Sequence, residues 1–230
     1  MGNLFEDVYY RMNKKIDVII PPNIGWLEYK LNDQELTYVW KCIKEAGQKK
    51  DAKPTLAGNI DSSWKIDDKN DWFFTHTLIP MIQQYENSFD TTAIIPPIKN
   101  QHPYHMDEFW VNYQKKHDFN PPHNHNAIFS FVIWMKIPFD SKDQNEYPKS
   151  KNSNSPRAAT FEFNYLDIRG KHTGYTYDLN REDEGRMVFF PGDLIHQVFP
   201  FYECDEDRIS VSGNITMDTT RIKVENNVDT

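Results

Sequence analysis

The sequence predicts an all-β core with N-terminal helices, a jelly roll of the double-stranded β-helix type. Three observations carry this. From about residue 109, apolar residues recur with period two in six successive runs, as half-buried antiparallel strands require. Upstream, Leu36, Val39, Trp40 and Ile43 recur at intervals of three and four, the spacing of one helix face. Aromatics are abundant, with 15 Phe, 12 Tyr and 6 Trp in 230 residues, and such side chains suit pleated sheets. A chain of this length forms one domain, read here as 1–230. Within it, 1–108 is a helical and extended support region, 109–217 the β core and 218–230 a tail.

The elements follow in order. Ile16 to Ile20 is a short apolar run ended by Pro21-Pro22 and reads as a strand. Asn32-Asp33-Gln34-Glu35 opens the first helix and Gly47 stops it. Leu56-Ala57-Gly58-Asn59-Ile60 holds a bend. Asp71 is placed to cap a second helix carrying Trp72, Phe73, Leu78, Ile79, Ile82 and Tyr85, and Pro80 inside it requires either a kink or a different helix boundary. Residues 86–108, with Pro96-Pro97 and Pro103, read as an extended crossing or loops. The strands expected next are 109–116, 127–137, 158–166, 186–190, 194–199 and 208–217. Between them, 139–157 is too polar to pack and is expected to be a mobile surface loop. No internal repeat is present.

Composition narrows the function. A formal net charge of −8 makes nucleic acid an unlikely partner. Cys42 and Cys204 are too few for a disulfide framework or a thiolate zinc site. No basic leader with an apolar core opens the chain, and no apolar run is long enough to span a bilayer, so a cytoplasmic location is expected.

Chemistry concentrates at Asn120-Pro121-Pro122-His123-Asn124-His125. In extended backbone, residues two apart face one side, so His123 and His125 can converge on one point. Imidazole suits iron, zinc, copper or nickel. Phe189-Phe190-Pro191-Gly192-Asp193-Leu194-Ile195-His196 turns and opens a strand with a third imidazole. The other reading is two solvated turn histidines and one unrelated strand histidine. His76, His102, His105, His117 and His172 read as helix, turn or surface residues.

In Arg208-Ile209-Ser210-Val211-Ser212-Gly213-Asn214, Arg208, Ser210, Ser212 and Asn214 share one strand face. A guanidinium fork fits a carboxylate with two parallel bonds. Its alternative partners are Asp205, Glu206 or Asp207 at the surface. Trp110, Tyr113, Phe129 and Trp134 are assigned to core filling by default.

As an ordered set, these motifs resemble the Fe(II)/2-oxoglutarate-dependent oxygenase superfamily. The likeness is nearest to small oxygenases of bacteria and of phages of marine cyanobacteria, in which case the location is the host cytoplasm. It rests on residues 120–125, Ser130-Phe131-Val132-Ile133-Trp134, 190–198 and 208–214, with weaker likeness at Trp110-Val111-Asn112 and Leu56–Ile60. The resemblance implies a cupin-like barrel open at one end, Fe(II) and 2-oxoglutarate as cofactors, and molecular oxygen as co-substrate. It makes His123 the first iron ligand and His196 the distal one, and assigns Arg208 and Ser210 to the far carboxylate of 2-oxoglutarate. Asn112 and Asn214 are further candidate cofactor contacts. His125 stands where the family has an acid, and is read as the third ligand, with the alternative that it sits behind the metal and leaves two protein ligands; Asp118 and Asp193 lack the family's spacing. The implied reaction couples decarboxylation to succinate with hydroxylation of a second substrate, narrowly a peptidyl proline. Two other functions stay open: a three-histidine dioxygenase of cupin type that does not use 2-oxoglutarate, and a non-enzymatic jelly-roll binding or structural protein. Oligomeric state is not specified by these motifs.

Overall fold

The structure is a computed structural model that describes residue 17 and residues 25–47, 50–89 and 102–221. The expected strand at Ile16–Ile20 lies outside the described residues. The elements are β1 (Leu27–Lys30), α1 (Asp33–Ala46), β2 (Ser62–Lys65), α2 (Ile79–Ser88), β3 (Tyr104–Gln114), β4 (Asn120–His123), β5 (Phe129–Lys136), α3 (Ser141–Asn145), β6 (Phe161–Leu166), β7 (His172–Tyr177), β8 (Arg186–Pro191), β9 (His196–Val198) and β10 (Arg208–Met217).

Two antiparallel sheets face each other. One has the order β1-β8-β5-β10-β3-β2 and the other β4-β9-β6-β7. From β3 onward the chain alternates between them and reverses at the β6–β7 hairpin. That winding is a double-stranded β-helix, as the period-two pattern led us to expect.

Alternation sorts the six-stranded sheet into two faces. Phe129, Phe131, Ile133 and Met135 of β5 join Val111 and Val211 in a core shared with Val39, Ile43, Leu78 and Tyr85 from the helical layer. Val132 and Trp134 point the other way, into a second core with Phe161, Phe163 and Phe190. The site grows from that second face.

The helix α1 forms as its sequence signals demand. Asn32 Oδ1 accepts from the N–H groups of Gln34 and Glu35 at 3.0 Å each, and Glu35 Oε2 accepts from Asn32 N–H at 2.9 Å. This reciprocal box satisfies orphan donors at the N-terminus. Buried Glu35 also accepts from the Tyr29 and Thr77 hydroxyls, which ties α1 to its neighbours.

The second helix differs from expectation at its start. Asp68, not Asp71, accepts from the Phe73 and Phe74 N–H groups, at 2.9 and 2.8 Å. Asn70 and Asp71 instead take positive φ. A wide turn over Phe74–Leu78 precedes α2, so Pro80 falls in the first turn of a new helix, where its missing N–H costs little.

The polar segment 139–157 does pack in part. Its helix α3 is pinned where Ser141 N and Oγ donate to Asn180 Oδ1 at 2.9 Å. Gln144 donates to the Tyr202 carbonyl and accepts from its N–H. Tyr147 stacks on Tyr202 with centroids 4.4 Å apart. Its polar groups found fixed partners in the backbone opposite, which a composition argument does not see.

Candidate metal centre

The β-helix brings the three motif histidines together. His123 closes β4 and sits in register with His196, which opens β9; His196 in turn faces Phe163 of β6. His125 lies just past β4, so strand alternation alone does not aim it. Its N–H donates to the Gly192 carbonyl at 2.7 Å, which clamps the His125 loop to the turn before β9. Gly192 is required there, because a Cβ would collide with the Ala127 carbonyl group. Ring centroids are 5.3 Å apart for His123 and His125, 4.3 Å for His123 and His196, and 5.0 Å for His125 and His196. One nitrogen from each ring lies within 4.8 Å of the others. Among the described residues no carboxylate joins this cluster.

Each ring is oriented through Nδ1. His123 Nδ1 meets the Pro121 carbonyl at 2.7 Å, and His196 Nδ1 meets the Leu194 carbonyl at 2.9 Å. His125 Nδ1 meets Ser130 Oγ at 2.9 Å. A carbonyl only accepts, so His123 and His196 carry their proton on Nδ1 and present Nε2 as the lone-pair nitrogen. Burial lowers all three ring pKa values, helped at His125 and His196 by the neighbouring imidazoles: His123 is lowered, His125 falls to about 4 and His196 falls well below the ordinary value. The site therefore keeps its rings neutral and ligand-competent near neutral pH. Three convergent neutral imidazoles, two of them with tautomers fixed by carbonyls, fit a first-row divalent cation.

A cavity of about 200 Å³ opens beside the rings. All seven residues singled out from sequence line it: His123, His125, His196, Arg208, Ser210, Asn112 and Asn214. The register explains the four on strands, since Arg208 pairs with Gln114, Ser210 with Asn112, and Asn214 with Glu108 across β10 and β3. Asn112 Oδ1 accepts from Ser63 Oγ of β2 at 2.7 Å. Trp110 lines the cavity, against the core assignment, because it shares a face with Asn112. Trp134 both lines it and packs in the second core, while Phe129 is core alone.

Arg208 is 2% exposed, and among the described residues no acid pairs with it: Asp205 takes Lys116 and Glu206 takes Lys136. Its Nε and Nη2 donate to Gln114 Oε1, its Nη1 to the Ala159 carbonyl and its Nη2 to the Phe199 carbonyl. A guanidinium has five N–H groups, so one remains. The fork is thus largely occupied, and the expected two-bond grip becomes one open N–H and a full charge. Burial pushes the guanidinium down to about 9. A buried cation in that state favours an anion beside it. Gln114 went unnoticed in the sequence, since only the register puts it opposite Arg208. Asn120, also in the lining, has a buried Oδ1 with no hydrogen-bond partner.

Residues 108–214 match the family model described as "Putative 2OG-Fe(II) oxygenase". Over this segment the chain is similar to the 2OG-Fe(II) oxygenases. The cofactors of this oxygenase family are Fe(II) and 2-oxoglutarate, and the histidine cluster and buried arginine fit them as a donor set and an anion site. No curated protein matches the chain. Among solved structures, a Pseudomonas putida prolyl-4-hydroxylase is similar at 12% identity, covering 84% of this chain and 92% of that one, with TM-score 0.48. A Trichoplax adhaerens prolyl hydroxylase in complex with a hypoxia inducible factor peptide fragment is similar at 11% identity, covering 84% of each chain, with TM-score 0.48. HygX from Streptomyces hygroscopicus, with nickel, 2-oxoglutarate and hygromycin B bound, is similar at 9% identity, covering 85% and 84%, with TM-score 0.43. No helix among the described residues is long and apolar enough to cross a membrane.

Proposed function

We propose that this protein is a 2-oxoglutarate-dependent hydroxylase whose iron is held by His123, His125 and His196. The observation that supports it is the sharing of one cavity by three convergent imidazoles and a buried arginine that has no carboxylate partner among the described residues. Bound iron would supply the oxygen activation that links decarboxylation of 2-oxoglutarate to hydroxylation. The chain's own residues do the rest. Arg208 attracts the far carboxylate of 2-oxoglutarate by its charge and its remaining N–H, with Ser210, Asn112 and Asn214 as neutral hydrogen-bonding neighbours. Trp110, Phe161 and Phe190 wall the cavity and limit bulk water around the imidazoles. The alternative that dispenses with 2-oxoglutarate leaves the burial of Arg208 without a purpose.

The second substrate enters past Thr55, Asn124 and Asn126, which are exposed and line the same cavity. Among the described residues that line it, Arg208 is, apart from the histidines, the only one that is charged or ionises near neutral pH. That neutral, amide-rich entrance suits an uncharged hydrogen-bonding segment rather than a phosphate or an acid. A peptidyl proline is such a segment, with its carbonyl available to the asparagines and its ring to the face of Trp110.

The test uses anaerobically prepared Fe(II) protein exposed to oxygen and 2-oxoglutarate, with succinate measured and proline peptides scanned by mass for the gain of one oxygen. Wild type forms succinate and binds 2-oxoglutarate only with metal present, while His196→Ala does neither. Wild type that loads metal but neither binds nor consumes 2-oxoglutarate sinks the proposal. Succinate without any modified proline peptide sinks the peptide reading alone.

A further inference from the structure

The three imidazoles are not held alike. His123 and His196 lean on backbone carbonyls, but His125 leans on a side chain that belongs to a longer series. Ser130 of β5, Asn214 of β10 and Glu108 of β3 stand in one row across three neighbouring strands: Ser130 is in register with Asn214, and Asn214 with Glu108. Asn214 Nδ2 donates to Glu108 Oε2 at 2.7 Å, and Ser130 Oγ donates to Asn214 Oδ1 at 2.8 Å. His125 Nδ1 completes the row on Ser130 Oγ at 2.9 Å.

The direction of every bond follows from one end. A carboxylate oxygen accepts, so Asn214 must turn its amide nitrogen to Glu108. Its carbonyl oxygen then faces Ser130 and takes the hydroxyl proton. Ser130 Oγ is left with lone pairs only, so it must receive the proton of His125 Nδ1. His125 is thereby fixed with Nε2 unprotonated, like the other two rings. Ser130 is fully buried and Asn214 is 8% exposed, so water competes little for these bonds. Among the described residues Glu108 has no cationic partner that would absorb its charge.

The charge also matters. Three neutral imidazoles give a divalent cation no compensating negative charge, and His125 stands where a carboxylate would provide one. We propose that Glu108 is the positioning residue of the metal site: through Asn214 and Ser130 it sets the His125 tautomer and supplies, from three hydrogen bonds away, the negative charge that the ligand set lacks. This rests on the reading of His123, His125 and His196 as the metal ligands. Groups that support metal ligands from behind raise affinity about 10- to 100-fold.

The test is titration of the full chain with Co(II), following affinity and the visible ligand-field spectrum, with thermal melting as the control on folding. Glu108→Gln keeps an oxygen that Asn214 can donate to and removes only the charge. It is expected to melt like wild type, to bind Co(II) about tenfold more weakly and to shift the spectrum. Ser130→Ala breaks the series, so Glu108→Gln added to Ser130→Ala is expected to cause no further loss of affinity. Equal Co(II) affinity and spectrum in wild type and Glu108→Gln overturn the inference, since a purely structural bridge between β3 and β10 predicts that result. Full additivity of the two losses overturns it as well. Wild type that binds no Co(II) removes the three-histidine site and this inference together, whereas wild-type binding with an indifferent Glu108→Gln removes the inference alone.

Discussion

Replacing Arg208 by methionine separates a structural arginine from one kept for an anion. Burial pushes the guanidinium down to about 9, which corresponds to roughly 5 kcal/mol of unfavourable burial. Against this stand three acceptors that the variant would strand, Gln114 Oε1 and the Ala159 and Phe199 carbonyls, at about 1 kcal/mol each. The rings of Phe139 and Phe201, 5.8 and 5.5 Å from the guanidinium carbon, add about 0.5–1 kcal/mol apiece. The opposing sums nearly cancel, so Arg208→Met is expected to melt close to wild type without ligand. With Zn(II) and 2-oxoglutarate at about 100 times its Kd, wild type gains about 2.7 kcal/mol. For a domain of this size that raises Tm by about 5–10 °C, and the variant shows no 2-oxoglutarate-dependent rise. Differential scanning fluorimetry with and without the diacid reads both numbers. The reasoning fails if the ligand-free variant loses several kcal/mol while wild type ignores 2-oxoglutarate, for then the arginine serves the fold.

Three other outcomes are expected. The buried imidazoles bind protons less readily in the folded protein than in the unfolded chain, so metal-free protein loses stability as pH falls from about 6.5 towards 4; His125 alone accounts for about 2 kcal/mol at pH 5. Urea denaturation at pH 7.5 and 5 measures this, and His125→Gln should flatten the slope; equal slopes remove the argument. Gly192→Ala drives a Cβ into the Ala127 carbonyl group and shifts the turn that holds His125, so it should weaken Co(II) binding at least tenfold, and unchanged binding would show that the clamp is not needed. His125→Asp places a carboxylate ligand directly in the site, so it should bind Co(II) more tightly than His125→Ala and no longer respond to Glu108→Gln; calorimetry on the four proteins decides.

What the sequence determined by itself is local. The α1 helix was legible because Asn32 and Glu35 cap it and its apolar spacing is regular. The polar face of Arg208, Ser210, Ser212 and Asn214 was legible because strand geometry permits no other grouping. The three histidines stood out because two were close in sequence and the third followed a turn signal. The six strands that alternation revealed are the six inner strands of the two sheets, each paired on both sides. The four it missed, β1, β2, β4 and β7, are the four sheet edges. Edge strands bury less surface and need no apolar alternation, and β4 even tolerates Pro121 and Pro122 at an edge.

Only the tertiary structure decided what meets across strands. Nothing in the chain's order places Gln114 against Arg208, or lines Ser130, Asn214 and Glu108 in one row behind His125. Those meetings depend on register, which is set by two packed cores acting on whole strands at once. The same register turned Trp110 towards the cavity and Phe129 away from it. Local pattern thus named the groups that carry the chemistry, and the packing of the sheets chose their partners.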